Sequence, residues 1–396
     1  MTLSLKLAFK NIYGARLRSF LNVLALSFSF VVIIWGQGMY EGMSTQIKTA
    51  MIDTEVGAGQ YWSVKYDPFD PFSIKDSHTK LSPELTDLIK QKNATPILIA
   101  PASIFPDGRI QAAILKGIDL EQDIINFPIK ELKDNYKKDE LLMIPGIIGT
   151  RMSKTTNLKV GDIVTARFRD KNDVFDAIDI EIIHIMKTIV PSMDNGQIWL
   201  PLFSLQKILN MEGEATIAIL KKDYVTSFMD HGNFIYKSQA FLLKEITKMV
   251  KQKQIGGTIM YSLFLIMALL AIFDTQVLSI FRRRKEIGTL MALGMTRFGV
   301  IKLFTLEGVM FGIFAWVFGA IYGIPLLILT SVKGIPMPEG TDNFGIALGS
   351  ALYPTYSLAL ILTTTSILSM TVIIVSYLPT RKISKMEPTN ALRGNY

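Results

Sequence analysis

Few residues in this chain are suited to chemistry by type and spacing. There are three histidines, His78, His184 and His231, and no cysteine among 396 residues. Without thiols there is no disulfide framework, no cysteine nucleophile and no thiolate metal ligand. The histidines are far apart in sequence and form no His-x-x-x-His pair, so each reads as an ordinary surface or core residue. The chain has no Gly-x-x-x-x-Gly-Lys-Ser/Thr loop to cradle a nucleotide phosphate and no Gly-x-Ser-x-Gly elbow. Carboxylates are abundant between Glu41 and Gln252, but no pair stands out as an acid and a base. Two features remain. Asp274 and Glu307 lie inside apolar runs, and a basic segment from Arg282 to Arg297 separates those runs.

The two acids sit at calculable depths. Asp274 is eight residues before Arg282, about 12 Å along a helix, and Glu307 is ten residues after Arg297, about 15 Å. Acids at such positions face protein or water and find partners. Each is a candidate intramembrane polar contact, either a static helix–helix hydrogen bond or a contact that switches when helices move or a proton binds.

The elements that must position these residues are long apolar runs. The chain is 49% hydrophobic, with a mean hydropathy of +0.32. Four runs are long enough to cross a hydrocarbon core of roughly 30 Å. They cover about residues 20–40, 256–281, 298–330 and 356–378. The first ends in Trp35 and Tyr40, aromatics suited to an interface. The net charge of +8 is unevenly spread. Glu41 to Gln252 holds 26 Lys/Arg and 28 Asp/Glu, whereas the rest holds 16 and 6. The excess of cations therefore flanks the spans and does not form a surface that tracks nucleic-acid phosphates. Lys6, Lys10, Arg16 and Arg18 precede the first span, and Arg381, Lys382, Lys385 and Arg393 follow the fourth. By the positive-inside rule both termini and the Arg282–Arg297 connector are cytoplasmic. The N-terminal apolar run has about the length of a span, longer than a secretory signal core, and Gln37 to Glu41 offers no Ala-x-Ala site, so a retained anchor is expected.

Leu5, Phe9 and Ile12 recur at helical spacing before Gly14. They suit either an amphipathic helix on the cytoplasmic membrane face or the start of a long first helix. Between the first two spans, about 200 residues of ordinary soluble composition suit one or two compact domains. Ile97–Ala100, Gln111–Leu115, Ile163–Arg167 and Ile178–Ile185 read as strands. Ser82-Pro83-Glu84 opens a helix, Pro201–Leu209 is a second, and Tyr236–Gln254 a third that runs into the second span as a stalk. The expected class is a membrane protein with four transmembrane α-helices and a large extracytoplasmic α+β domain between the first and second. Met39, Met43 and Met51 are candidate cargo contacts if they form a soft apolar surface, or simply packing at the membrane boundary.

The connector carries a family resemblance. Arg283-Arg284-Lys285-Glu286-Ile287-Gly288, with Ala292-Leu293-Gly294 and Thr296-Arg297, resembles the hallmark of MacB/FtsX-type (type VII) ABC transporter permeases. Leu7-Ala8-Phe9-Lys10-Asn11 with Arg16 and Arg18-Ser19, the pair Glu307-Gly308, and Pro379, Arg381, Pro388 and Ala391-Leu392-Arg393 are similar to that family's ends and third span. Lys116-Gly117-Ile118-Asp119, Leu158 to Asp162, and Trp199 to Leu202 with Gln206-Lys207 resemble Lol-type lipoprotein-release permeases. Asp274 departs from the pattern, which has a neutral residue there.

The resemblance implies a layout. Residues 1–19 form a cytoplasmic amphipathic helix and 20–40 the first span. The extracytoplasmic domain is 41–235, the stalk and second span 236–281, and the coupling segment 282–297. The third span is 298–330, an extracytoplasmic loop 331–355, the fourth span 356–378 and a cytoplasmic tail 379–396. It implies a non-catalytic subunit of the bacterial inner membrane with no cofactor of its own. ATP acts through a cytosolic ATPase dimer, and a second permease copy or paralogue completes the complex. Arg283, Arg284, Lys285, Glu286, Ile287, Gly288, Leu290, Ala292, Leu293, Gly294 and Thr296 form the ATPase-coupling surface. Arg282 and Arg283 belong mainly to that interface, and Glu286 to the partner or a helix cap; topology anchoring of the cations in lipid head groups is compatible with this. The work is mechanotransmission, in which lipoproteins or other lipidated cargo are extracted from the outer leaflet. MacB-like efflux of peptides, toxins or drugs through an adaptor, and FtsX-like activation of a cell-wall hydrolase, are the alternatives.

Overall fold

The computed structural model describes residues 16–70, 73–136, 143–224, 230–337, 351–381 and 383. The Leu5, Phe9 and Ile12 pattern, most of the 331–355 loop and the tail beyond 383 lie outside the described residues. The chain divides into a unit built mainly from the apolar helices and a unit built mainly from residues 46–248.

Four helices in the structure are long and apolar enough to cross a membrane. Helix α1 is Arg16–Met51, α2 Lys244–Arg282, and a short α3 Arg284–Ala292. Helix α4 is Arg297–Lys333 and α5 Leu358–Thr380. Both α1 and α2 are longer than the apolar runs within them, because helix propensity continues into polar sequence where hydropathy stops. Threonine and serine start the last two. Thr296 Oγ1 accepts from Gly299 N at 3.1 Å, and Ser357 Oγ accepts from Leu360 N at 3.1 Å.

Lipid tails are as apolar as leucine, so these helices associate through close packing and hydrogen bonds, not through burial from water. The small residues of α4 serve this. Gly308, Gly312, Ala315, Gly319 and Gly323 recur every three or four residues. Gly312 lies against Val372 of α5, and Gly319 and Gly323 against Ser27 and Val31 of α1. A Cβ on Gly308 would stand 2.5 Å from Ser376 and 2.9 Å from Gln276 Nε2. Leu26, Phe30, Ile272, Ala315 and Leu368 fill the centre. Polar links cross it: Asn22 donates to Thr275 at 2.7 Å, and Gln254 donates to Gln37 at 2.6 Å. Large apolar side chains such as Ile259, Met267, Val332 and Leu358 are left exposed, as lipid requires.

The other unit is a mixed sheet. Its nine strands are β1 Gly59–Ser63, β2 Ala94–Ile104, β3 Gln111–Ile118, β4 Met143–Gly149, β5 Ile163–Arg169, β6 Phe175–Met186, β7 Gln197–Pro201, β8 Ile217–Leu220 and β9 Phe234–Ser238. The order is β9-β1-β8-β2-β3-β7-β4-β6-β5. The end of β2 pairs again with β5, Ser103 opposite Arg167, so six strands curl into a closed ring. Neighbours along a strand point to opposite faces. Leu98, Ile148 and Ile198 thus join one core, while Ile99, Ile147 and Trp199 join the other.

The expected α+β domain between the first and second spans is present. Its strands are longer than the sequence pattern indicates, and the helix read from Tyr236 is corrected. Phe234–Ser238 is a strand paired with β1, and Ser238 then caps a turn of helix over Gln239–Leu242 before α2 begins. Phe, Ile and Tyr favour a pleated surface, and an available edge on β1 decided between strand and helix. The Ser82 cap is in place, accepting from Leu85 N at 3.3 Å.

Gly308→Ala is expected to destabilise the helical unit by about 1–3 kcal/mol through overpacking. Gly256→Ala, where a Cβ meets nothing within 4 Å, should leave it unchanged or slightly firmer. Thermal unfolding of both variants in detergent checks the contrast.

Candidate functional site

The connector is built from two bends and one short helix. At Arg283 the backbone leaves helical geometry, with φ −102° and ψ 20°. Helix α3 then runs to Ala292 and stops before Gly294, whose φ of +93° suits glycine and strains any other residue. Ile287 and Gly288 are buried. Ile287 packs with Ile280 of α2 and with Val300, Ile301 and Phe304 of α4, while Leu290 and Met291 are half-buried beside them. The other side of α3 shows Lys285, Glu286, Thr289 and Ala292 to solvent. Just beyond it, Leu293 and Phe298 are 80% and 73% exposed.

Arg283 is turned inward. Its Nη1 donates to Glu307 Oε2 at 3.0 Å, its Nε donates to Glu286 Oε2 at 2.7 Å, and its guanidinium lies 4.9 Å from the Phe304 ring. Within the chain Arg283 thus braces the bend, with its side chain 23% exposed. A cation at the helix break is the nearest partner for the buried Glu307, which is 7% exposed, and an unpaired charge there is costly. Arg284 packs over Phe281 at 4.1 Å. Glu286 takes a hydrogen bond from Arg283, so it braces the bend. Next to this pair is a polar seam: Gln276 and Ser376 flank Gly308, and Thr305 and Thr380 share a hydrogen bond at 3.0 Å.

Asp274 makes no static hydrogen bond to another helix among the described residues. It lies on the face of α2 opposite the buried seam of Ala268, Leu269, Ile272, Gln276 and Ile280, and is exposed. Its neighbour Thr275 makes the contact to Asn22 instead.

The methionines do not form one open surface. Met43 is buried at 7% exposure, Met39 is half-buried, and Met51 packs on the Trp199 core. Of the sheet-unit motifs, those around Lys116 and Trp199 are used internally, whereas Lys159 to Asp162 are exposed. Lys116 and Trp199 are opposite each other on β3 and β7. Lys116 Nζ lies 3.6 Å from Glu55 Oε1, donates to Ser192 O at 3.3 Å, and sits 4.9 Å from the Trp199 ring. Ser192 also donates to Glu55. Burial pushes the Lys116 ammonium below the usual lysine range, and the Glu55 carboxylate pulls it partly back. Glu55 lies on one turn of π-helix, Ile52–Val56. Gln206 donates to Glu214 O at 2.8 Å. His78 contacts Glu214. Among the described residues no group of three or more His, Cys, Asp or Glu side chains could hold a metal.

Residues 258–388 match the family model described as FtsX-like permease C-terminal. An uncharacterized ABC transporter permease of Methanocaldococcus jannaschii is 21% identical, with 98% of this chain and 96% of the relative covered. The extracellular domain of the noncanonic ABC-type transporter YknZ from Gram-positive bacteria matches at 14% identity and a TM-score of 0.28. That match covers 48% of this chain and 94% of that one. Residues 258–388 thus carry an FtsX-like permease domain, and over its length the chain is similar to an ABC transporter permease.

Two outcomes test the site. Removing one partner of a buried pair strands the other, so Arg283→Met should cost about 3 kcal/mol, whereas Arg283→Met with Glu307→Leu should cost markedly less. A double-mutant cycle on thermal stability in detergent reads this. In the sheet unit, the native Lys116 loses its proton at a lower pH than the unfolded one. Between its native value and the ordinary lysine range the unfolded chain therefore binds more protons, and stability rises with pH. Lys116→Met combined with Glu55→Gln should flatten that alkaline slope in urea unfolding followed by tryptophan fluorescence.

Proposed function

We propose that the chain is the membrane subunit of a mechanotransmission transporter that extracts lipoproteins or other lipidated cargo from the outer leaflet of the bacterial inner membrane. The reading rests on α3. Its inner face is locked to α2 and α4, and its outer face ends in the exposed Leu293 and Phe298 among charged residues. A short helix with one committed face and one open apolar tip suits docking to a separate cytosolic ATPase dimer. Lys285, Glu286, Thr289, Ala292 and Leu293 form that docking face; Arg283, Ile287, Gly288 and Leu290 hold it in place, and Gly294 and Thr296 shape its exit.

ATP supplies the work from the partner subunits. Their closure pushes on α3, and the rigid base at Arg283 and Glu307 passes the push into the spans. The domain at 41–235 lies outside the membrane, both termini and the 282–297 connector inside, and a second permease copy or a paralogue completes the complex. Lipid release is favoured over the other family activities by the Lys116, Leu158–Asp162 and Trp199–Leu202 motifs. Met39 and Met51 are the methionines left with enough exposure to touch an acyl chain.

Affinity purification in mild detergent with mass spectrometry tests the reading. An ATPase subunit with acylated lipoproteins is the expected result. An ATPase with an adaptor points to efflux, and one with a peptidoglycan hydrolase points to signalling. Leu293→Asp should reduce ATPase recovery about tenfold, an effect worth about 1.4 kcal/mol, without lowering the amount of permease in the membrane.

A further inference from the structure

Three side chains in the four spans carry charge, Asp274, Lys302 and Glu307. Glu307 is buried against Arg283. Two are left over. Asp274 is exposed on α2, and Lys302 is exposed on α4 between the buried Ile301 and Leu303. They have opposite signs, and among the described residues neither forms an ion pair or a hydrogen bond. Their depths are similar. Asp274 is about 12 Å inside the Arg282 end of α2, and Lys302 is about 7.5 Å inside the Arg297 end of α4. A lysine stem bridges the difference.

A charge facing lipid is expensive, and such residues mark contacts with protein or water. The setting of Asp274 favours protein. Met267, Leu270, Asp274, Leu278 and Phe281 follow one another at steps of three or four residues on the outward face of α2, and the four apolar members are between 37% and 68% exposed. An apolar stripe with one polar member is a helix-packing seam in which the polar residue sets register.

We propose that this face is where a second copy of the chain docks, with Asp274 of each copy paired to Lys302 of the other. The inference rests on reading the chain as one half of a paired permease, and it states where the halves meet. A two-fold contact must be self-complementary, so a residue that meets a second residue across the axis is met in return. One acid and one base, both unpartnered and within a lysine side chain's reach of the same depth, meet that condition without any further group. The apolar stripe supplies contact area, and the two ion pairs fix its register. Cationic cargo drawn from the outer leaflet is a poorer occupant, because Asp274 lies toward the end of α2 next to the Arg282 cluster.

The absence of cysteine makes the test direct. Two differently tagged copies are expressed together, one carrying Asp274→Cys and the other Lys302→Cys, and treated in membranes with a short bis-maleimide. The expected result is a product bearing both tags. The same treatment with Met370→Cys, exposed on α5, in place of Lys302→Cys should give none. In chains without cysteines, Asp274→Lys alone and Lys302→Asp alone should each reduce co-purification of the two tags about tenfold, and the two together in every chain should restore it. Tags that co-purify without the heterotypic crosslink, or single reversals without effect, would overturn the contact and leave the paired reading intact. Wild-type tags that never co-purify while the ATPase does would remove the second copy as occupant, and the proposal with it, in favour of a paralogue. A variant missing from the membrane fraction is decided by the crosslinking arm, which needs no charge reversal.

Discussion

One ion pair organises the base of the helical unit. Glu307 is buried two to three turns into α4, and Arg283 occupies the only break between α2 and α3 from which a guanidinium reaches it at 3.0 Å. The same guanidinium braces Glu286 and covers Phe304. Because a buried carboxylate is costly without its cation, the bend at Arg283, the course of α3 and the start of α4 are tied into one arrangement. The apolar contacts around Ile287 then have a fixed framework to fill. Any force applied to the outer face of α3 meets this framework before it meets lipid.

The rest of the helical unit follows a different economy. Packing among the spans depends on what is missing from α4, the side chains of Gly308, Gly312, Gly319 and Gly323. Close approach replaces the hydrophobic effect, which has little to act on between helices already in hydrocarbon. The sheet unit uses water in the ordinary way. Its strands bury alternate residues on two cores, and a buried cation, Lys116, is held among Glu55, Ser192 and Trp199. Lys116, Trp199 and Gln206 make internal contacts there. They hold the ring of strands and the π-turn at Ile52–Val56 together.

The connector shows how legible a site is before folding. Its sequence marks a helix between bends, since Gly294 and Thr296 are punctuation and Arg282 to Lys285 are a flank. It does not say which of those cations turns inward. The signal was present in Glu307, an acid within an apolar run that needs a partner. Pairing it with Arg283 across 24 residues of chain required the crossing of α2 and α4, which no local pattern carries. The strand at Phe234–Ser238 teaches the same lesson. The residues suit strand or helix, and the free edge of β1 made the choice.

What the sequence alone determined is what adds up locally along the chain. Four apolar runs, the cations at their flanks, the capping residues Ser82 and Thr296, and the balanced composition between the first two spans all follow from residue type and length. The tertiary structure decided which face of each helix is inside. Asp274 and Gln276 are two residues apart on one helix, yet one is exposed and the other is 1% exposed. A helical period assigns them to different faces, but only the packing of α1, α4 and α5 against α2 selects which face is buried, because burial is a property of neighbours and not of the residue.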